Sequence, residues 1–181
     1  MTLDPTGLPH KLLVVHERLV DAGLAHAFGG ALALAWCTQQ ARGTIDIDVN
    51  LFVSPERTGE ALAALPREVV ATDGDRALLA RDGQARLWWD TTPVDVFLST
   101  TAFHDRAAAR IRWEPFVGRS LPFLDCGDLA VFKAFFNRTK DWADLEAMVE
   151  AGSLDVTQVS GVLARYLGPD DERIARLLGL T

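Results

Sequence analysis

The run Arg42-Gly43-Thr44-Ile45-Asp46-Ile47-Asp48-Val49-Asn50-Leu51-Phe52-Val53 alternates apolar and polar residues from Ile45 onward. Ile45, Ile47, Val49 and Leu51 fall on one side, and Asp46, Asp48 and Asn50 on the other. This is the period-2 pattern of a strand with one buried face. Carboxylates two residues apart on a strand project from the same face. Side by side they repel unless something neutralises them, and a divalent cation that prefers hard oxygen ligands is a natural neutraliser. A strand with one solvated face carries the same pattern, so the surroundings decide between the two readings.

Upstream, residues 25–28 read as a short strand. The pair Gly29-Gly30 follows, and then Ala31-Leu-Ala-Leu-Ala-Trp-Cys-Thr-Gln-Gln40, a run rich in helix formers. Glycine between a strand and a helix lets a ligand approach the backbone, and the N-terminus of the helix favours phosphate. Downstream, Pro93-Val94-Asp95-Val96-Phe97-Leu98 reads as another apolar strand carrying one acid. Asp46, Asp48 and Asp95 could together form a two-metal clamp on a reacting phosphate.

The rest of the chain fits an α/β front half followed by a helical back half. Pro9 opens a first helix with Leu12, Leu13, Val15, Leu19 and Val20 on its apolar face. Ser54-Pro55-Glu56 starts a helix that runs to Leu65. Short strands are expected over 69–72, 77–81, 85–90 and 94–98, separated by hairpin turns at Asp73-Gly74 and Asp82-Gly83. A helix covers 101–110, and Pro115, Gly118 and Pro122 mark an irregular or short-strand stretch. Helices are expected over 127–138, 140–151, 155–167 and 170–178, with stops at Gly152 and Gly168-Pro169. The expected organisation is an α/β (α+β) domain over 1–122 and a helical region over 123–181.

Composition narrows the field. The chain has 181 residues, 49% of them apolar and 24% charged, which suffices for a core and excludes disorder as the main state. A net charge of −7 speaks against a protein that coats DNA. Cys37 and Cys126 have no metal-ligand spacing. They read as thiols of a reducing cytoplasm, Cys37 as a small buried hydrophobe. The first residues lack a basic and then apolar leader pattern, so no signal peptide is expected. The longest apolar run, Ala31 to Cys37, falls far short of the roughly 20 residues that span a bilayer.

Taken together, Phe28-Gly29-Gly30-Ala31-Leu32-Ala33 and Arg42-Gly43-Thr44-Ile45-Asp46-Ile47-Asp48-Val49 resemble the signature of polymerase β-like nucleotidyltransferases. That signature is a glycine turn, a helix and an R-x-T-x-D-x-D strand. Val94-Asp95-Val96-Phe97 resembles the family's third-carboxylate strand. Residues 128–145, with Asp128-Leu129, Lys133, Arg138, Lys140-Asp141 and Asp144-Leu145, are similar to helices of the AbiEii-type toxins of type IV toxin–antitoxin systems. The resemblance implies a mixed twisted sheet with helices, followed by a C-terminal helical bundle. It implies that Asp46, Asp48 and Asp95 hold Mg2+ or Mn2+ and that Gly29 and Gly30 cradle an NTP. It further implies that Lys133 reaches the phosphates, and that Arg42 and Thr44 brace the turn or touch phosphate. Arg138, Lys140, Asp141 and Asp144 match subgroup positions. One departure is local: Gly30 and Ala31 stand where many members carry a phosphate-contacting Ser or Thr.

The residues themselves add further expectations. Lys133 lies in an apolar helix and needs an acidic or phosphate partner. Asp141, near a helix start, suits a cap. Between Arg106 and Lys140, seven basic residues face Glu114, Asp125 and Asp128, a net of +4 against −11 for the remainder. A basic stretch beside an acidic site suits a triphosphate and an RNA acceptor. Of Trp88 and Trp89, one is expected in the core, and the other could stack a base. His10, His16, His26 and His104 lack metal-ligand spacing. The expected activity is transfer of a nucleoside monophosphate from an NTP to an RNA or tRNA hydroxyl. The alternatives are a small-molecule acceptor such as an aminoglycoside, or a non-catalytic component that binds an antitoxin protein.

Overall fold

The computed structural model describes Asp4 and residues 6–180. Its framework is a seven-stranded sheet: β1 (His26–Phe28), β2 (Ile47–Leu51), β3 (Val69–Val70), β4 (Gln84–Trp89), β5 (Thr92–Leu98), β6 (Arg112–Phe116) and β7 (Arg119–Phe123). The strand order is β3-β4-β5-β2-β1-β7-β6. The β2–β5 and β1–β7 pairs are parallel, and the other four are antiparallel. This is the mixed sheet the sequence predicts.

The alternation of β2 appears as burial. Ile47, Val49 and Leu51 are fully buried, and so is Val94 opposite Ile47 on β5. Ile45 departs from the expected pattern: it is 77% exposed, because pairing begins only at Ile47. Asn50 lies in the polar half of the pattern yet is buried, with its amide donating to the Ala27 carbonyl at 3.5 Å.

The chain divides into two compact units. The first holds the described residues up to Gly29 together with 43–123, and so the whole sheet. It also contains α1 (Leu8–Asp21), α3 (Thr58–Ala64), α4 (Asp73–Asp82) and α5 (Ala102–Ala108). The second holds 30–42 and 124–180: α2 (Gly30–Thr38), α6 (Cys126–Phe136), α7 (Thr139–Glu150), α8 (Val156–Leu167) and α9 (Glu172–Leu178).

Two expectations are corrected, and a third takes one of its two forms. Residues 77–81 form no strand but lie within α4. The Thr72 side chain accepts from the Asp75 N–H while Asp75 accepts from the Thr72 N–H, a capping box that starts a helix. Asp73-Gly74 therefore sits in a helical first turn, and Gly83, at φ +69°, ends the helix. Pro115 to Pro122 takes the short-strand form of the two expected: it belongs to the β6–β7 hairpin, which turns at Val117-Gly118. Finally, Cys37 on α2 and Cys126 on α6 are joined in a disulfide, with their Cα atoms 5.6 Å apart. They are not the separate thiols expected, and the argument from cysteine usage to a reducing compartment falls with them. Among the described residues, no helix is long and apolar enough to cross a membrane.

Candidate active site

Parallel pairing sets Asp48 on β2 directly against Asp95 on β5. Adjacent strands run about 4.8 Å apart and paired residues share a face, so the two carboxylates are neighbours. Asp46 immediately precedes β2, two residues from Asp48, and its carboxylate accepts a hydrogen bond from the Thr44 hydroxyl. All three acids are half-buried. The Gly29 N–H donates to the Asp48 carbonyl at 2.9 Å, which ties the glycine turn to the strand that carries the acids. Gly30 adopts φ +55°, a left-handed conformation that side chains resist.

A residue that the sequence reading passed over completes the row. Arg86 on β4 pairs with Asp95 in the antiparallel β4–β5 register. Its Nε donates to Asp95 Oδ1 at 2.7 Å and its Nη2 donates to Oδ2 at 2.6 Å, a bidentate fork. Hydrogen bonding to Asp95 raises the guanidinium pKa well above its ordinary value, with further support from the charges of Asp95, Asp46 and Asp48. Arg86, Asp95 and Asp48 therefore form one line across three strands, with Asp46 beside it. The sequence holds only half of this signal: Arg86 alternates with buried Leu87, but strand register decides which residue it meets. Trp88, two residues beyond Arg86 on the same face, is 47% exposed, while Trp89 is buried, as expected of the pair.

The paired carboxylates of Asp48 and Asp95, with Asp46 just before β2, suit a hard divalent cation in donor type and charge. Among the described residues, however, no three His, Cys, Asp or Glu side chains are grouped to hold an ion. Two of the acids are already engaged by protein donors, Asp95 by Arg86 and Asp46 by Thr44.

The other sequence-predicted residues gather in the second unit. Lys133 on α6 is buried, and its ammonium donates to Asp144 Oδ2 at 2.6 Å and lies 4.0 Å from Asp141 Oδ1. Arg42 also donates to Asp144. Arg138 Nε donates to Asp141 Oδ2 at 2.7 Å, and the Arg138 N–H bonds the same carboxylate. Asp141 therefore caps α7, as its position near the helix start suggests. The acidic partner that Lys133 needs is Asp144. Lys140 is exposed.

At least four of the seven cations of the basic stretch meet carboxylates: Arg112 with Glu114, Arg119 with Glu17, Lys133 with Asp144 and Arg138 with Asp141.

No protein-family model matches the chain, and no curated protein matches it. Solved structures do. The antibiotic-resistance factor ANT(2'')-Ia, in its solution structure, aligns with 94% of this chain and 92% of its own, at a TM-score of 0.58 and 17% identity. The chain has the polymerase β-like nucleotidyltransferase fold. The crystal structure of ANT(2'')-Ia in complex with adenylyl-2''-tobramycin covers 88% of this chain and 94% of its own, at a TM-score of 0.58 and 18% identity. An antigenic nucleotidyltransferase-like protein from Paracoccidioides brasiliensis covers 96% and 93%, at a TM-score of 0.52 and 15% identity. At these identities the likeness is one of fold, and it extends to such proteins generally rather than to the AbiEii-type toxins in particular.

Proposed function

We propose that the chain moves a nucleoside monophosphate from an NTP to a hydroxyl of a small-molecule acceptor. The acceptor oxygen bonds to the α-phosphorus, the bond from that phosphorus to the β-bridging oxygen breaks, and pyrophosphate leaves. The observation that carries this reading is the register that sets Asp48 on β2 against Asp95 on β5, with Asp46 immediately before β2. Asp46, Asp48 and Asp95 would hold magnesium or manganese, which would supply positive charge to offset that of the triphosphate and the leaving pyrophosphate. Asp95 accepts the proton of the acceptor hydroxyl. Gly29, Gly30 and Thr44 contact the nucleotide. Arg42 and Lys133 both hold Asp144, so either reaches phosphate only by giving up that carboxylate.

A small acceptor is preferred to RNA for two reasons. At least four cations of the 106–140 stretch are engaged by carboxylates, and RNA affinity draws chiefly on cations free for phosphate. The overall charge of −7 suits a cationic acceptor. An aminoglycoside is such a molecule, and the similar fold of ANT(2'')-Ia was solved with adenylyl-2''-tobramycin.

The test is incubation with Mg2+, each α-phosphate-labelled NTP, and either a panel of aminoglycosides or total tRNA. Label is expected on an aminoglycoside and is expected to vanish in Asp48→Asn. Label confined to tRNA overturns the acceptor assignment, and label that persists in Asp48→Asn overturns the site.

A further inference from the structure

We propose that Arg86 is the resident counter-ion of Asp95 and competes with a divalent cation for it, so that this guanidinium sets how tightly the carboxylate face binds metal. The inference rests on the nucleotidyltransferase reading of Asp46, Asp48 and Asp95.

Register is the first support. Asp95 has Arg86 opposite it on one neighbouring strand and Asp48 opposite it on the other. It is therefore flanked on one face by a cation and by a like charge. Bond geometry is the second. Both carboxylate oxygens are used, at 2.7 and 2.6 Å, and the Asp95 side chain is only 17% exposed. An ordinary surface ion pair contributes little. This one has a partly desolvated carboxylate and two further acids beside it, and those acids add to the pull on the guanidinium.

Two consequences follow from these positions. Without metal, Arg86 relieves repulsion between Asp48 and Asp95 that would otherwise oppose folding of the β2–β5 pair. With metal, a cation takes Asp95 only by displacing two charge-assisted hydrogen bonds. Arg86 is thus a positioning residue: it holds Asp95 in line and fixes the concentration of cation at which Asp95 is released.

The test is Mn2+ binding to the full chain without nucleotide, read from the electron paramagnetic resonance signal of free Mn2+. Wild type, Arg86→Gln, Arg86→Lys and Asp48→Asn are compared. Arg86→Gln is expected to bind Mn2+ at least about tenfold more tightly than wild type. Arg86→Lys keeps the charge but not the fork and is expected to fall between. It also serves should the neutral variant fail to fold. Melting in EDTA is expected at a lower temperature for Arg86→Gln than for wild type, with a larger upward shift on adding Mn2+. Binding by the Arg86 variants that equals or falls below wild type overturns the proposal. If wild type binds Mn2+, Asp48→Asn does not, and the Arg86 variants match wild type, the metal site stands and the role of Arg86 falls. If no protein binds Mn2+, both fall.

Discussion

Lys133 offers a sharp separation between a structural and a ligand-binding role. Its side chain is 9% exposed, and its ammonium is 2.6 Å from Asp144 and 4.0 Å from Asp141. Removing one member of a buried ion pair leaves the other uncompensated, at a cost of about 3–5 kcal/mol. The two members differ in what each leaves behind. Asp144→Ala leaves Lys133 with Asp141 alone, and Asp141 is already bonded to Arg138. The full cost of about 4 kcal/mol applies. Lys133→Met leaves Asp144 with Arg42, whose side chain is 52% exposed and stays solvated. The expected cost is nearer 2 kcal/mol. The double variant removes both charges, so the cycle should show a coupling of about 2 kcal/mol rather than additivity. Urea unfolding of nucleotide-free protein, followed by circular dichroism, reads these values. At a slope of about 2 kcal/mol/M, Lys133→Met moves the midpoint by about 1 M. A neutral or stabilising Lys133→Met with no coupling to Asp144 refutes the reasoning, because a lysine held only for phosphate owes the unliganded fold nothing.

Three further outcomes test other parts of the structure. The disulfide between Cys37 and Cys126 closes 89 residues, so the Cys37→Ser/Cys126→Ser variant should lose about 4 kcal/mol to urea; free thiols in the unreduced protein contradict this. His26 is held neutral by burial, its pKa lowered to about 4. Its unfolded form takes a proton below about 6.5, so stability falls as pH drops from about 6.5 to 4, by up to about 3 kcal/mol. The midpoint-against-pH slope should flatten in His26→Gln, and an unchanged slope removes His26 from the acid sensitivity. Val117 turns the β6–β7 hairpin at φ +48°, followed by Gly118 at +75°, the arrangement that favours Asn-Gly. Val117→Asn should raise stability by about 1 kcal/mol, and a lower melting temperature refutes the turn assignment.

Part of the candidate site was legible because its carriers obey a two-residue period. Asp48 and Asp95 could be placed on strands by alternation alone, whereas Asp46 falls just before β2, and the long apolar helices of the back half could be placed by their stop signals. The misreadings have physical causes. Asp73-Gly74 and Asp82-Gly83 look like hairpin turns in isolation, yet Thr72 and Asp75 form the cap and Gly83 the terminus of one helix. That cap was visible as a Thr-x-x-Asp spacing. Arg86 was not visible, because meeting Asp95 depends on strand register, which no local pattern records. The disulfide joins residues that only the helix packing of α2 and α6 brings together. Local charge counting likewise could not show that Arg119 answers Glu17 across 102 positions of chain.

Nucleotidyl transfer at the carboxylate face of β2 and β5 is read from the rate of pyrophosphate release from NTP, with Mg2+ and an aminoglycoside, in wild type and in Asp48→Asn. Acceptor-dependent release in wild type, with a loss of about a hundredfold or more in the variant, is the expected result. Equal rates in the two proteins contradict it.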